Sequence, residues 1–266
     1  MITGNVNKID LSTSSFKHIR EKGYLFVDKT KFIEHFLMEP NTVQVLLRQR
    51  RFGKSLNMNM LKCFLTDTEN NAEFFKDLYI GNSEVWGEIN SSPVLFFDFK
   101  NLSESSYKSQ ILTQAVNYIK KYIGIENLDW FNKIRLDNYI SDRGESGTDI
   151  ILFLTELIYE KTKKKSYILI DEYDKLLTHL FNNEKYEEIR TYETEVMSAA
   201  LKDNEYLEKA LLTGVMHVTK ESILDGFNNI AIYDLFSDNV YQEDFGLTDN
   251  EVTLLSEAAS FDKSEV

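Results

Sequence analysis

Three consecutive residues, Gly53, Lys54 and Ser55, join a backbone free to approach an anion closely, a long-armed cation and a hydroxyl able to ligate a divalent metal. Those are the groups a triphosphate needs: the glycine admits the phosphate oxygens, the lysine reaches the outer phosphates, and a hydroxyl at a helix start binds magnesium. Their setting agrees. Residues 42–47 (TVQVLL) read as a buried strand and residues 56–65 as an amphipathic helix, whose first turn adds its free N–H groups and positive dipole end. The usual loop has another glycine five residues before Gly53; here that position is Arg48. A Gly-Lys-Ser triplet alone is as well explained by a surface turn, so the phosphate reading rests on this strand–loop–helix order and on partners further along. Arg50 and Arg51 suit either phosphate or a structural ion pair with one of the many carboxylates.

The partners begin at Asp171 and Glu172, which follow the apolar run at residues 167–170. Adjacent acids at the tip of a buried strand are costly to desolvate unless they have work to do. Beside a phosphate loop, the first acid holds magnesium and the second polarises an attacking water. Asp174 is placed to orient that turn or contact a partner. A further strand-like run, residues 210–215, carries Thr213 near its end, a candidate for sensing the outer phosphate or positioning water; a turn with Gly214 would explain it equally. Asp98 closes the run at residues 94–99. In a parallel sheet these strand tips converge where ligands bind.

Those elements alternate. Helix-like stretches at residues 56–65, 108–122, 149–161 and 192–201 lie between the strand-like runs, the signature of a parallel sheet covered on both faces. With 266 residues, 42% hydrophobic, the chain can bury a large core, and only Pro40 and Pro93 interrupt it. A formal charge of −13 opposes general attraction to nucleic acid. Cys63 is the lone cysteine and there are four histidines, so neither a disulfide nor a Cys/His metal centre is expected. No run approaches the roughly 20 apolar residues a membrane span needs, and residues 1–8 lack a signal pattern; a cytoplasmic setting is expected. Thr248 and Glu251 have capping-box spacing, which predicts a C-terminal helix running toward Ala259.

Three blocks, residues 50–56 (RRFGKSL), 169–175 (LIDEYDK) and 212–215 (LTGV), together resemble the AAA-ATPase-like family of bacterial proteins. Further blocks strengthen it: residues 16–20, 24–30, 220–223, 228–229 and 245–248 (FGLT), so that the resemblance covers roughly residues 15–252. It implies a three-layer α/β/α, AAA-like P-loop NTPase with an extra strand between the phosphate-loop and acidic strands. Residues 1–240 would form the ATPase domain and residues 241–266 a C-terminal helical extension or the start of a lid. ATP and Mg2+ are the implied ligands. Arg51, Phe52, Gly53, Lys54, Ser55 and Leu56 would line the nucleotide; Ser55 and Asp171 would hold the metal; Glu172, Lys54 and Thr213 would act in catalysis. Residues 27–30 would lie near the base.

Two residues depart from the family pattern: Gln49 where proline is usual, and His217 where an arginine is expected, which Lys220 could partly replace. The second departure weakens hydrolysis relative to binding. Many relatives carry a PD-(D/E)xK nuclease-like domain after the ATPase; no such site is assigned here, since Glu172, Asp174 and Lys175 belong with the phosphate loop. The expected function is Mg-dependent ATP binding with hydrolysis to ADP. The alternative is a nucleotide-dependent interaction module with little turnover, and a small-molecule kinase is a third reading. A protein partner or homo-oligomer is compatible with either, with Arg20, Arg135, Arg143 and Arg190 as candidates for an arginine supplied across an interface.

Overall fold

The computed structural model describes residues 2–5, 8, 10, 12–215, 230–236 and 239–259. The chain forms two compact units, one of Asn41–Leu47 with Pro93–Ile232 and one of Met1–Pro40, Arg48–Ser92 and Tyr233–Val266. In chain order, the elements are β1 (Ile2–Thr3), α1 (Phe16–Lys22), β2 (Phe26–Val27), α2 (Lys31–Met38), β3 (Val43–Leu47), α3 (Lys54–Leu65), β4 (Val94–Asp98), α4 (Tyr107–Tyr122), α5 (Trp130–Ser141), α6 (Ile150–Thr162), β5 (Ser166–Asp171), α7 (Lys175–His179), α8 (Tyr186–Leu201), β6 (Leu207–Gly214), β7 (Ile230–Tyr233) and α9 (Asp249–Ala259). Short 3-10 turns fill residues 72–88.

The first unit is built on a five-stranded sheet in the order β4-β5-β6-β3-β7. The pairs β4–β5, β5–β6 and β6–β3 are parallel. Placing β6 between β3 and β5 inserts the extra strand that the family resemblance implied. Every residue of β3 and β5 is buried, which is why both read as unbroken apolar runs instead of alternating ones. Helices α4, α6 and α8 turn Ile111, Ala115, Ile119, Phe153, Leu154, Val196 and Ala200 into one core with Val45, Ile168 and Leu212. Each Val, Leu, Ile or Phe among them contributes about 1.5–3 kcal/mol by leaving water.

Register sets the strand tips level. Leu47 pairs with Gly214, Asp171 with Thr213, and Asp98 with Asp171. The carboxyl ends of β3, β4, β5 and β6 therefore share one edge of the sheet, as the alternating pattern predicted.

The second unit holds α1, α2, α3, α9 and the antiparallel pair β1–β2. Helix α1 begins where the Ser15 side chain accepts the His18 N–H and ends at Gly23, whose φ of 61° supplies a left-handed cap. Its core is aromatic: Phe16 stacks on Phe75 at 4.7 Å, Phe75 meets Phe64 edge-on at 5.3 Å, and Phe32 meets Phe245 at 5.3 Å. Helix α9 starts with the expected reciprocal cap. The Thr248 N–H donates to Glu251 Oε2 at 2.7 Å and the Glu251 N–H to Thr248 Oγ1 at 3.3 Å.

Candidate functional site

Gly53, Lys54 and Ser55 lie in the second unit. Gly53 caps the N-terminus of α3 with φ 79°, and a Cβ there would meet nothing within 4 Å. The need for glycine is thus conformational, and the space above the backbone is open. No side chain caps this helix. Its first N–H groups, which lack intrahelical acceptors by geometry, suit an anion. Lys54 curls back over the loop: its ammonium, on a residue only 6% exposed, donates to the carbonyls of Arg48 (2.8 Å) and Gln49 (2.9 Å). Arg51 sits in the left-handed region at φ 70°, an uncommon state for a side-chain-bearing residue that marks a constrained loop. Arg50 and Arg51 are both exposed.

Arg48, occupying the position of the missing glycine, is an anchor. It is 1% exposed and donates to the carbonyls of Tyr233 (2.9 Å) and Tyr241 (3.3 Å), with its guanidinium 5.4 Å from the Phe245 ring centre. Burial lowers its pKa from the ordinary arginine value, against the opposing charges of Asp234 and Asp244. This chain therefore fixes the start of the loop with a buried cation, where the usual loop has a glycine.

Asp171, Glu172 and Thr213 lie in the sheet unit. Asp171, the last residue of β5, is 4% exposed and accepts the Thr213 hydroxyl at 2.5 Å. Thr213, itself 1% exposed, lies inside β6 and orients that carboxylate. Glu172 follows in the left-handed region at φ 55°, with its carboxylate 3.3 Å from the Lys175 ammonium. A strained residue directly after a strand end is a common mark of function. The turn closes on β6: the Tyr173 N–H donates to the Thr213 carbonyl (3.1 Å) and the Val215 N–H to Asp174 Oδ2 (2.9 Å). Asp174 thus orients the turn, as its position suggested. A Cβ on Gly214 would stand 2.8 Å from Tyr173 Cε1 and 3.0 Å from Asp174 Oδ1, so any side chain there would force one of them to shift. Asp98 accepts the Lys100 N–H at 2.8 Å and shapes its own turn at the same edge.

Sequence reasoning missed Glu193 on α8. It is fully buried, and among the described residues neither carboxylate oxygen has a hydrogen-bond partner. Burial, reinforced by the Asp174 charge, pushes its pKa up to about 8, so it carries a proton at neutral pH. Its place among the apolar positions of an amphipathic helix was the available signal.

Of the four candidate interface arginines, three are engaged within the chain: Arg20 with Asp77, Arg135 with Asp149 and Glu156, and Arg190 with Glu187. Arg143 is exposed at the end of α5. Asp28 accepts both the Thr30 hydroxyl (2.6 Å) and the Tyr79 N–H (2.7 Å), which ties residues 27–30 to the 3-10 segment. His217, Lys220 and the blocks at residues 220–223 and 228–229 lie outside the described residues. Among the described residues, no three His, Cys, Asp or Glu side chains gather as a metal cluster, and no helix is long and apolar enough to cross a membrane.

The family described as "Predicted AAA-ATPase" (AAA-ATPase-like) matches residues 10–224. A protein of Azotobacter chroococcum mcd 1, described as an uncharacterized protein in the vnfD 5' region, is 26% identical over 265 residues. That stretch is 97% of this chain and 47% of the relative, so the chain spans about half its length.

Proposed function

We propose, on the premise that the chain belongs to the AAA-ATPase-like family, that it binds ATP with magnesium and hydrolyses it to ADP and phosphate. The observation that carries this reading is the Lys54 ammonium, folded onto its own loop carbonyls at a helix N-terminus that no side chain caps. A buried cation held by two carbonyls is ready to exchange those acceptors for phosphate oxygens, which bind it more strongly because they are charged.

In this reading, Arg51, Phe52, Gly53, Lys54, Ser55 and Leu56 hold the phosphates, with Arg50 and Arg51 adding charge at the open side. Ser55 and Asp171 would hold magnesium, offering a hydroxyl and a carboxylate, the oxygen donors that ion takes. Bound there, magnesium would neutralise charge developing on the phosphates. The Thr213 hydroxyl donates to one oxygen of Asp171 and helps hold that carboxylate in place. Glu172 accepts the proton of the attacking water, and the Lys175 ammonium, 3.3 Å from its carboxylate, orients it. We place residues 1–240 with the ATPase function and residues 241–266 as a helical extension. We place the protein in the cytoplasm, the reducing setting that suits a chain with a single, unpaired cysteine, Cys63.

Phosphate release by wild type and Glu172→Gln tests the reading. The substitution should cut turnover by about 100-fold or more while ATP still binds. Wild-type turnover no faster than the variant's would remove hydrolysis from the account.

A further inference from the structure

The phosphate loop is held by one segment distant in sequence. Arg48 at its start donates to the Tyr241 carbonyl (3.3 Å) and faces the Phe245 ring. The Phe52 carbonyl, immediately before Gly53, accepts the Gly246 N–H (3.2 Å). Asn57, in the first turn of α3, donates its amide to the Asp244 carbonyl (2.8 Å). Three points spanning the loop thus hang on residues 241–246.

That segment is tied down at its other side. Asp244, 3% exposed, meets His35 of α2 at 2.7 Å, and Tyr241 and Phe245 pack on Phe32 of the same helix. Lys29 reaches both the Glu243 carbonyl (2.6 Å) and the Glu251 carboxylate (2.7 Å). Glu251 in turn makes the capping box that starts α9. Gly246 has φ 75°, and a Cβ on it would stand 3.1 Å from Phe52 Cδ1, so the approach of segment to loop is as close as glycine permits.

The geometry points to residues 241–251 as a strap that senses whether the phosphate loop is occupied and passes that state to the start of α9. The inference rests on the nucleotide reading above. When Lys54 turns its ammonium from the carbonyls of Arg48 and Gln49 to a phosphate, those two peptide planes lose that donor and the loop that follows them reorients. Gly246 is hydrogen-bonded to the Phe52 carbonyl of that loop, and Tyr241 and Phe245 touch the Arg48 side chain at its start. Occupancy pulls them tighter on the loop, and Lys29 and Glu251 carry the displacement to the α9 cap.

The test is hydrogen exchange of the full chain with and without saturating ATP and magnesium, run beside direct measurement of ATP affinity for wild type, Gly246→Ala and Phe245→Leu. Exchange of amides 241–252 in wild type should slow at least about tenfold on binding, the range expected when a local opening is suppressed. Gly246→Ala, which drives a methyl at Phe52, should weaken ATP binding by about tenfold and abolish the exchange response. Phe245→Leu keeps the site apolar and should retain the fold, with a smaller loss of both. ATP binding with unchanged exchange at residues 241–252 overturns the strap and leaves the nucleotide reading standing. So does a Phe245→Leu protein with wild-type affinity and a wild-type exchange response. Failure of wild type to bind ATP overturns both.

Discussion

Replacing Glu193 by Gln should change how stability depends on pH more than it changes stability at any acid pH. The carboxyl titrates near 8 when folded against an ordinary 4.5, because burial disfavours its charge and Asp174 adds repulsion. The folded pKa is raised, so the folded chain holds a proton that the unfolded chain has released between those two values. Stability is then fully present below about pH 4.5 and falls with a slope of about 1.4 kcal/mol per pH unit until about pH 8. Across the window the wild type loses about 5 kcal/mol through this one group, a sizeable share of a typical domain's 5–15 kcal/mol. Gln does not titrate. At pH 5 it should match the wild type or fall about 1–2 kcal/mol short, since it buries an extra donor. By pH 8 it should be the more stable protein by a few kcal/mol. Urea unfolding at half-unit steps from pH 5 to 8.5 measures the difference directly. A wild-type-minus-variant difference that stays flat over that range would show that Glu193 is paired or ionised when folded, contrary to the burial and hydrogen-bonding described above.

Two further substitutions probe Asp171 and the turn after it. Thr213→Val keeps shape but removes the donor to Asp171, leaving a buried carboxylate short of a partner; it should cost about 1–3 kcal/mol in denaturant unfolding and raise the magnesium concentration needed for turnover, and Thr213→Ser should restore both. Gly214→Ala pushes a methyl at the buried Tyr173 and Asp174, so it should cost about 1–3 kcal/mol in thermal unfolding and suppress phosphate release while ATP binding survives. A Gly214→Ala protein with unaltered turnover would mean that the turn after β5 does not depend on that close approach.

The sheet's central strands were legible because β3 and β5 are buried on both faces and so leave continuous apolar runs; their observed ends differ by one residue at each shifted end from the runs at 42–47 and 167–170. At β6 the reading began three residues late, at 210, because Glu208 and Lys209 hide the start of a strand whose first residue, Leu207, is buried. β7 was missed: it is four residues long and only partly buried, so it shows neither a buried run nor alternation. α5 was missed because Trp130 and Phe131, its first two residues, are exposed and blur the apolar stripe. Gly53-Lys54-Ser55 and Asp171-Glu172 stood out as residue types in order, and their expected places, a helix start and a strand end, are where the structure has them. The anchoring of Arg48 and the attachment of residues 241–246 to the loop were not legible, because they join groups nearly two hundred positions apart through backbone carbonyls that no side-chain pattern records.

The central claim is that Lys54 holds nucleotide phosphate, and a calorimetric titration of ATP with magnesium into wild type and Lys54→Ala tests it most directly. The account predicts clear binding by wild type and a loss of roughly 100-fold or more in the variant, the worth of charge-assisted bonds from one buried ammonium. Equal affinity in the two proteins would contradict it.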